Sequence, residues 1–365
     1  MTSSSPALRR QRIHRAAQIE DAANRIVARL LRRRGWRPRV LGYCGYGTTD
    51  QVRVLGRVLL APPRSRERDL QSIRGWRRFL AITAPGVPVI IEVGNSRHRV
   101  TTARGGYIDA VLPARLEPGW SQVELIVEDS EPTPAPVRIV GNGPHIGIIS
   151  DIDDTVMITA LPRPFVALWN TFGRREAARR PVPGMAALYR KIASKNPDSV
   201  VVYVSTGPWN VAPAIDGFLS RHGYPPGPLL LTDWGPTADG WFRSGRAHKR
   251  TELQRLITEL PQVSWILVGD DGQHDPELYC EIAGDTPDRV RAIAIRELTA
   301  AQQIRTHGLP EPPARKYGRS PAPPSVLEVR GPNGLALLHA LRERGVLIPD
   351  RTVGSLRSDR LDGCE

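Results

Sequence analysis

The sequence predicts an α/β protein: a parallel sheet wrapped by helices, preceded by a small antiparallel β-sandwich. Two observations predict it. Short alternating β-rich runs separated by Gly, Pro and Asn fill residues 37–138, and from residue 145 continuous apolar runs alternate with helical segments. The size agrees, since 365 residues with 40% hydrophobic content exceed what one typical domain needs. Four parts are expected: a basic helical extension over 1–36, the β-sandwich over 37–138, an α/β unit over 139–308, and a Pro-rich linker with a helical tail over 309–365.

In the extension, Ile19, Ala23, Ile26, Val27, Leu30 and Leu31 recur at helical spacing, interleaved with Arg25, Arg29, Arg32, Arg33 and Arg34. Residues 1–40 hold eleven Arg against Glu20 and Asp21, so most of the chain's net charge of +14 sits there. Such a helix either docks its apolar stripe on the protein body or lies on an anionic surface, a membrane or a nucleic acid. The β-sandwich is read from runs at Val52–Leu60, Val87–Val93, His98–Ala103, Tyr107–Leu112 and Gln122–Glu128. The stretch Asp129–Val137, DSEPTPAPV, reads as a Pro-rich connection.

In the α/β unit, the strands are expected at Ile146–Ser150, Val200–Val204, Leu229–Leu231, Trp265–Val268 and Val290–Ile295. Helices are expected near Met185–Ser194, Val211–Arg221, His248–Glu259 and Pro276–Ala283. Leu309–Pro324 is the second Pro-rich stretch, and Gly334–Arg344 reads as a helix in the tail. No apolar run approaches the roughly 20 residues of a bilayer span. The N-terminus has no apolar signal region. Three scattered cysteines, Cys44, Cys280 and Cys364, argue against a disulfide framework and a zinc cluster. A cytoplasmic setting is expected, with peripheral contact at the inner membrane surface as an option.

The residues with chemical potential gather at predicted strand ends, where α/β sheets bind ligands. The first strand of the unit runs into Asp151, Asp153, Asp154 and Thr155, in HIGIISDIDDTVM. Like charges this close are costly unless a cation neutralises them, and an all-oxygen ligand set suits a hard ion such as Mg²⁺. The strand VVYVS ends at Ser205 and Thr206, hydroxyls suited to phosphate oxygens. WILVG ends in GDDGQHDP, which supplies Asp270, Asp271 and Asp275. Lys249 lies between, near the start of a predicted helix.

Together these motifs resemble those of the haloacid-dehalogenase-like hydrolases: DIDDT fits their DxDxT motif, VVYVST the hydroxyl motif, Lys249 the basic motif and GDDGQHD the final acidic motif. GIISDIDDTVMIT, YVSTGPWN and LVGDDGQHDPELY are similar, more narrowly, to the catalytic domain of the App1-type phosphatidate phosphatase family, over about Gly147 to Arg296. The resemblance implies a Rossmannoid parallel sheet and an Mg²⁺-dependent phosphatase. It implies Asp151 as the nucleophile that forms an aspartyl-phosphate. Asp153 would be the acid and base for leaving group and water. Mg²⁺ would be held by Asp151, the carbonyl of Asp153, Asp270 and Asp275, and phosphate by Ser205, Thr206 and Lys249. Thr155, Trp209 and Asp271 are expected in support, with Trp209 read as a pocket wall over a core residue and Asp271 as either a support or a surface or capping carboxylate; Asp154 is left open. For His274 a loop contact or helix cap is favoured over a metal ligand, and Arg243, Arg246 and His248 are read as either substrate contacts or a solvated loop.

The substrate expected from the family is phosphatidate at a membrane surface. The alternatives are a soluble phosphomonoester, or a nonenzymatic protein binding an anionic surface or nucleic acid, with nucleic acid the less favoured partner.

Overall fold

A computed structural model describes residues 26–62, 82–158, 179–196, 198–232, 245–272, 274–307, 323 and 325–347. Of the positions singled out in the sequence, Ile19, Glu20, Asp21, Ala23, Arg25, Arg243 and Cys364 lie outside the described residues, as does most of Leu309–Pro324. Helix α1 covers 26–33. It is followed by β1 (Arg37–Thr48), β2 (Gln51–Ala61), β3 (Pro88–Val93), β4 (Ser96–Thr101), β5 (Tyr107–Pro113), β6 (Gly119–Ile126) and β7 (Thr133–Val140).

These seven strands make one sheet in the order β4-β3-β6-β7-β1-β2-β5. All pairings are antiparallel except β1 with β7, which run parallel from Gly45↔Val137 to Thr48↔Val140. The antiparallel character expected of this unit holds for every pairing but that one, while the expected sandwich is corrected to a single sheet. The edge strands β4 and β5 approach each other, so the sheet curls almost onto itself and buries its own inner face, around Val54, Val58, Ile91, Val123, Leu125 and Ile139.

A second correction concerns DSEPTPAPV, whose latter half is not a linker but the start of β7. Pro134 and Pro136 face outward where β7 is laddered to β6 alone, the parallel pairing to β1 beginning only at Val137. Proline is tolerated where the strand lacks a second ladder partner.

The second sheet follows from β8 (His145–Asp151). The short β9 (Met157–Ile158) and β10 (Arg180–Pro181) pair with each other, and α2 (Met185–Lys195) comes next. The sheet and its helices continue through β11 (Val201–Pro208), α3 (Ala212–Arg221), β12 (Leu229–Thr232), α4 (Gly245–Glu259), β13 (Val263–Asp270), α5 (Asp275–Asp285), β14 (Val290–Arg296) and α6 (Ala300–His307). Last come β15 (Leu327–Gly331) and α7 (Gly334–Glu343).

Six of these strands form a wholly parallel sheet, β12-β11-β8-β13-β14-β15. Their continuous burial explains the apolar runs: β8 and β13 are buried along most of their length. Burying each aliphatic side chain contributes about 1.5–3 kcal/mol.

β15 corrects the reading of everything beyond residue 309 as appendage, because it pairs with β14 and closes that edge of the sheet. Helix α7 packs on α2 and on β15, with Leu337 and Leu341 fully buried. The chain leaves β8 for β11 on one side and returns to β13 on the other, so the carboxyl ends of β11, β8 and β13 flank the crevice where strand order reverses. Among the described residues no helix is long and apolar enough to cross a membrane.

Candidate active site

The acidic knot after β8 is held by its apolar members. Ile152 and Val156 are fully buried, and the Val156 and Met157 N–H groups both donate to the Ile152 carbonyl, at 2.9 and 3.2 Å. The Asp154 N–H donates to the Met157 carbonyl at 2.8 Å, and the Tyr224 hydroxyl to that of Val156, also at 2.8 Å. With Ile152 and Val156 fixed in the core, this turn leaves the carboxyls of Asp151 and Asp153 facing neighbouring strand ends. Behind them, the Ser150 and Tyr189 hydroxyls share a 2.6 Å hydrogen bond.

Asp154, which the sequence left open, adopts a left-handed backbone with φ 57° and is 5% exposed. Asp tolerates this conformation better than bulkier residues do. Arg296, at the end of β14, donates to its carbonyl oxygen. Asp154 therefore shapes the turn, and Arg296 is a supporting residue that no sequence motif indicated, because it acts on a backbone atom.

Lys249, Asp270 and Asp275 converge on Asp151. Lys249, buried on α4, places Nζ 2.6 Å from Asp151 Oδ1 and 2.6 Å from Asp275 Oδ1. Asp153 Oδ2 accepts from Ser205 Oγ at 3.1 Å, and that hydroxyl also accepts from the Gly207 N–H at 3.0 Å. Thr206 is half-buried beside it. Asp270 Oδ1 accepts from the Gly272 N–H at 2.7 Å, which holds the turn after β13. Thr155 is fully buried and its hydroxyl has no hydrogen-bond partner among the described residues.

Some expected supports lie elsewhere. Asp271 Oδ1 accepts from the Leu298 N–H at 2.8 Å and ties the segment after β14 to the site loop. Trp209 is buried against Tyr43 and Tyr107 of the seven-stranded sheet. His274 is exposed and stands before α5 as its N-cap, without a side-chain capping bond. Arg246 pairs with Glu281 at 3.3 Å, and His248 is buried 3.9 Å from Glu252.

Asp151, Asp270 and Asp275 present carboxylate oxygens within 4.8 Å of one another, all buried. Each has an Oδ2 that finds no hydrogen-bond donor among the described residues. Orphaned buried carboxylate oxygens are costly, and one ammonium does not balance three carboxylates. The donor set is all oxygen, so these residues fit a hard divalent cation.

The electrostatics agree. Burial pushes the Asp151 carboxyl up to about 8, against the opposing pull of Lys249, with Asp275 and Asp153 adding to the rise. Burial likewise holds the Asp270 carboxyl well above its ordinary range, reinforced by Asp275 and Asp151. For Lys249 burial alone would lower the value, but Asp151 and Asp275 outweigh it and keep the ammonium charged.

Residues 146–297 match the family model described as the catalytic domain of phosphatidate phosphatase APP1. Over 174 residues the chain is 27% identical to an uncharacterized protein of Schizosaccharomyces pombe, a match covering 46% of this chain and 28% of that one. Over 152 residues it is 26% identical to phosphatidate phosphatase APP1 of Saccharomyces cerevisiae, covering 41% and 26% respectively. The chain thus spans little more than a quarter of the length of these curated relatives. Among solved structures, a carbohydrate acetylesterase from Xanthomonas citri aligns over 83% of this chain and 73% of that chain at 11% identity, with a TM-score of only 0.28, too low to inform the fold. The match to the family model covers β8 from Ile146 through β14 and takes in Asp151, Asp153, Ser205, Thr206, Lys249, Asp270 and Asp275, so the similarity of this chain to the App1-type phosphatidate phosphatase catalytic domain lies in the residues that form the candidate site.

Proposed function

We propose that this protein is a phosphatase of the haloacid-dehalogenase-like type that hydrolyses a phosphomonoester through an aspartyl-phosphate on Asp151. The observation that carries this reading is the arrangement of two carboxyls with separate partners: Asp151 held by Lys249 at 2.6 Å, and Asp153 held by Ser205 at 3.1 Å.

In the first half-reaction an Asp151 carboxylate oxygen attacks phosphorus and the bond to the leaving oxygen breaks, while Asp153 delivers a proton to that oxygen. In the second, Asp153 takes a proton from water, the water oxygen attacks phosphorus, and the bond to Asp151 breaks to release phosphate. Lys249 and the hydroxyls of Ser205 and Thr206 neutralise and orient the phosphoryl oxygens. Asp151, Asp270 and Asp275, with the Asp153 carbonyl, would hold Mg²⁺, which when bound offsets the repulsion between an anionic nucleophile and an anionic substrate.

Phosphatidate is the substrate favoured by the family match and by α1. That helix exposes Ile26, Val27 and Leu30, at 59, 39 and 53%, beside Arg29, Arg32, Arg33 and Arg34, while Ala28 and Leu31 pack against the seven-stranded sheet. An apolar ridge flanked by arginines suits an anionic lipid surface.

The test is phosphate release with and without Mg²⁺ from phosphatidate in liposomes and from soluble phosphomonoesters, comparing wild type with Asp151→Asn. Mg²⁺-dependent turnover that Asp151→Asn abolishes is expected. Full activity in that variant overturns the mechanism, and release from soluble substrates alone overturns the lipid assignment.

A further inference from the structure

Three contacts reach from the seven-stranded sheet to the segment that follows the candidate phosphate-binding hydroxyls. The Tyr43 ring on β1 stacks on Trp209 with centroids 4.7 Å apart and planes 15° from parallel. Tyr107 on β5 meets the same indole at 6.2 Å, tilted by 47°. Arg57 on β2, only 7% exposed, donates from Nη1 to Asn210 Oδ1 and from Nε to the Gly105 carbonyl at 3.1 Å. Its guanidinium also lies 4.6 Å from the centre of the Tyr107 ring.

The segment these groups grip lacks a regular ladder of its own. Strand β11 pairs with β12 at Tyr203↔Leu229 and Val204↔Leu230, then shifts register before Pro208↔Thr232. Ser205, Thr206 and Gly207 occupy the irregular stretch. There the Thr232 hydroxyl lies 2.8 Å from the Thr206 carbonyl and 3.2 Å from that of Gly207. One end of the segment is therefore fixed by the parallel ladder and the other by a buried arginine and an aromatic stack from the other sheet. A guanidinium bonded to a side-chain amide and a carbonyl while lying over a ring has little freedom to move.

The geometry points to Arg57 and Tyr43 as positioning residues: by holding Asn210 and Trp209, the seven-stranded sheet sets where Ser205, Thr206 and Gly207 stand relative to Asp151 and Asp153. This role rests on the phosphatase reading for its effect on rate, though the clamp itself is structural. The sheet thereby becomes part of the catalytic apparatus without touching substrate. Misplacement of a reacting group by about 1 Å costs on the order of 100-fold in rate.

The experiment compares Arg57→Ala and Arg57→Lys with Val123→Ala, a variant in the separate inner core of the same sheet. In Mg²⁺-dependent phosphate release, Arg57→Ala is expected to lower kcat about 10- to 100-fold. Its rise in Tm on adding Mg²⁺ should keep the wild-type size, and Arg57→Lys should recover part of the rate. Val123→Ala is expected to lower Tm while kcat stays within about twofold of wild type. Hydrogen exchange of the amides over 205–211 reads the clamp without turnover: Arg57→Ala is expected to speed it about tenfold or more, and Val123→Ala to leave it unchanged relative to the rest of the sheet. Unchanged exchange over 205–211 in Arg57→Ala, or a kcat loss that Val123→Ala matches, overturns the positioning role. A wild-type protein that turns over none of the substrates overturns the phosphatase reading instead, and the exchange result then decides the clamp alone.

Discussion

Asp153 and Asp154 are sequence neighbours with opposite surroundings. One offers its carboxyl to Ser205 across the crevice, while the other is turned by a positive φ and pinned through its backbone by Arg296. The site's cost lies in its carboxylates: Asp270 contributes a buried charge that repels Asp151 and Asp275. Asp270→Asn is therefore expected to stabilise the metal-free protein by about 1–3 kcal/mol, measured by urea unfolding, and to remove the gain in Tm on adding Mg²⁺. The amide oxygen can still accept from Gly272, so the turn survives.

Glu252 gives a pH prediction away from that cluster. Burial raises its carboxyl above the ordinary value of 4.5, the attraction of Arg255 notwithstanding. A carboxyl raised on folding contributes stability that is fully present below its unfolded value and is lost as pH rises through the folded one. Glu252→Gln is expected to lose less Tm than wild type between about pH 4 and pH 7, and a parallel decline in both proteins would show that Glu252 does not titrate in this way.

At the scale of elements, the segments that escaped sequence reading did so for identifiable reasons. β1 carries Gly42, Gly45 and Gly47, which weaken a strand pattern. The structure explains Gly45, where a Cβ would collide with the Arg53 carbonyl on the neighbouring strand. β7 was hidden by its prolines, and β15 by its distance from the rest of the sheet in sequence. The terminal β15–α7 unit is integral: the Gly334 N–H donates to the Pro183 carbonyl at 2.9 Å, and a Cβ at Gly334 would strike the backbone at Gly184 and Met185. Leu337→Ala is expected to cost about 2–5 kcal/mol in urea unfolding, with kcat per folded molecule unchanged because Leu337 is a fully buried core side chain and not one of the candidate site residues.

Across the whole molecule, the two sheets share packing and charge. Tyr46, Leu55 and Val140 join the core of the parallel sheet, and Glu259 at the end of α4 accepts from the Tyr46 hydroxyl at 2.7 Å and from Arg53 Nε at 2.9 Å. The helix that carries Lys249 is thus anchored at its far end by the other sheet. At the surface, Leu30→Glu is expected to weaken sedimentation of the protein with anionic vesicles by at least about fivefold, and binding of wild type to fall as salt rises. Equal binding by the variant would remove α1 from the contact.

Period and motif sufficed to reveal most of the parallel strands of the α/β unit, its main helices and the residues that meet at the candidate site, because buried strands demand continuous apolar runs and the carboxylates and hydroxyls stand directly after those runs, with Lys249 near the start of a helix. Only the tertiary structure decided that β7 and β15 join their sheets, that Asp154 and Arg296 shape the acidic turn, and that Arg57 and Tyr43 hold the segment beyond Ser205. Those outcomes depend on contacts between residues far apart in the chain, whose partners a local pattern of polarity does not specify.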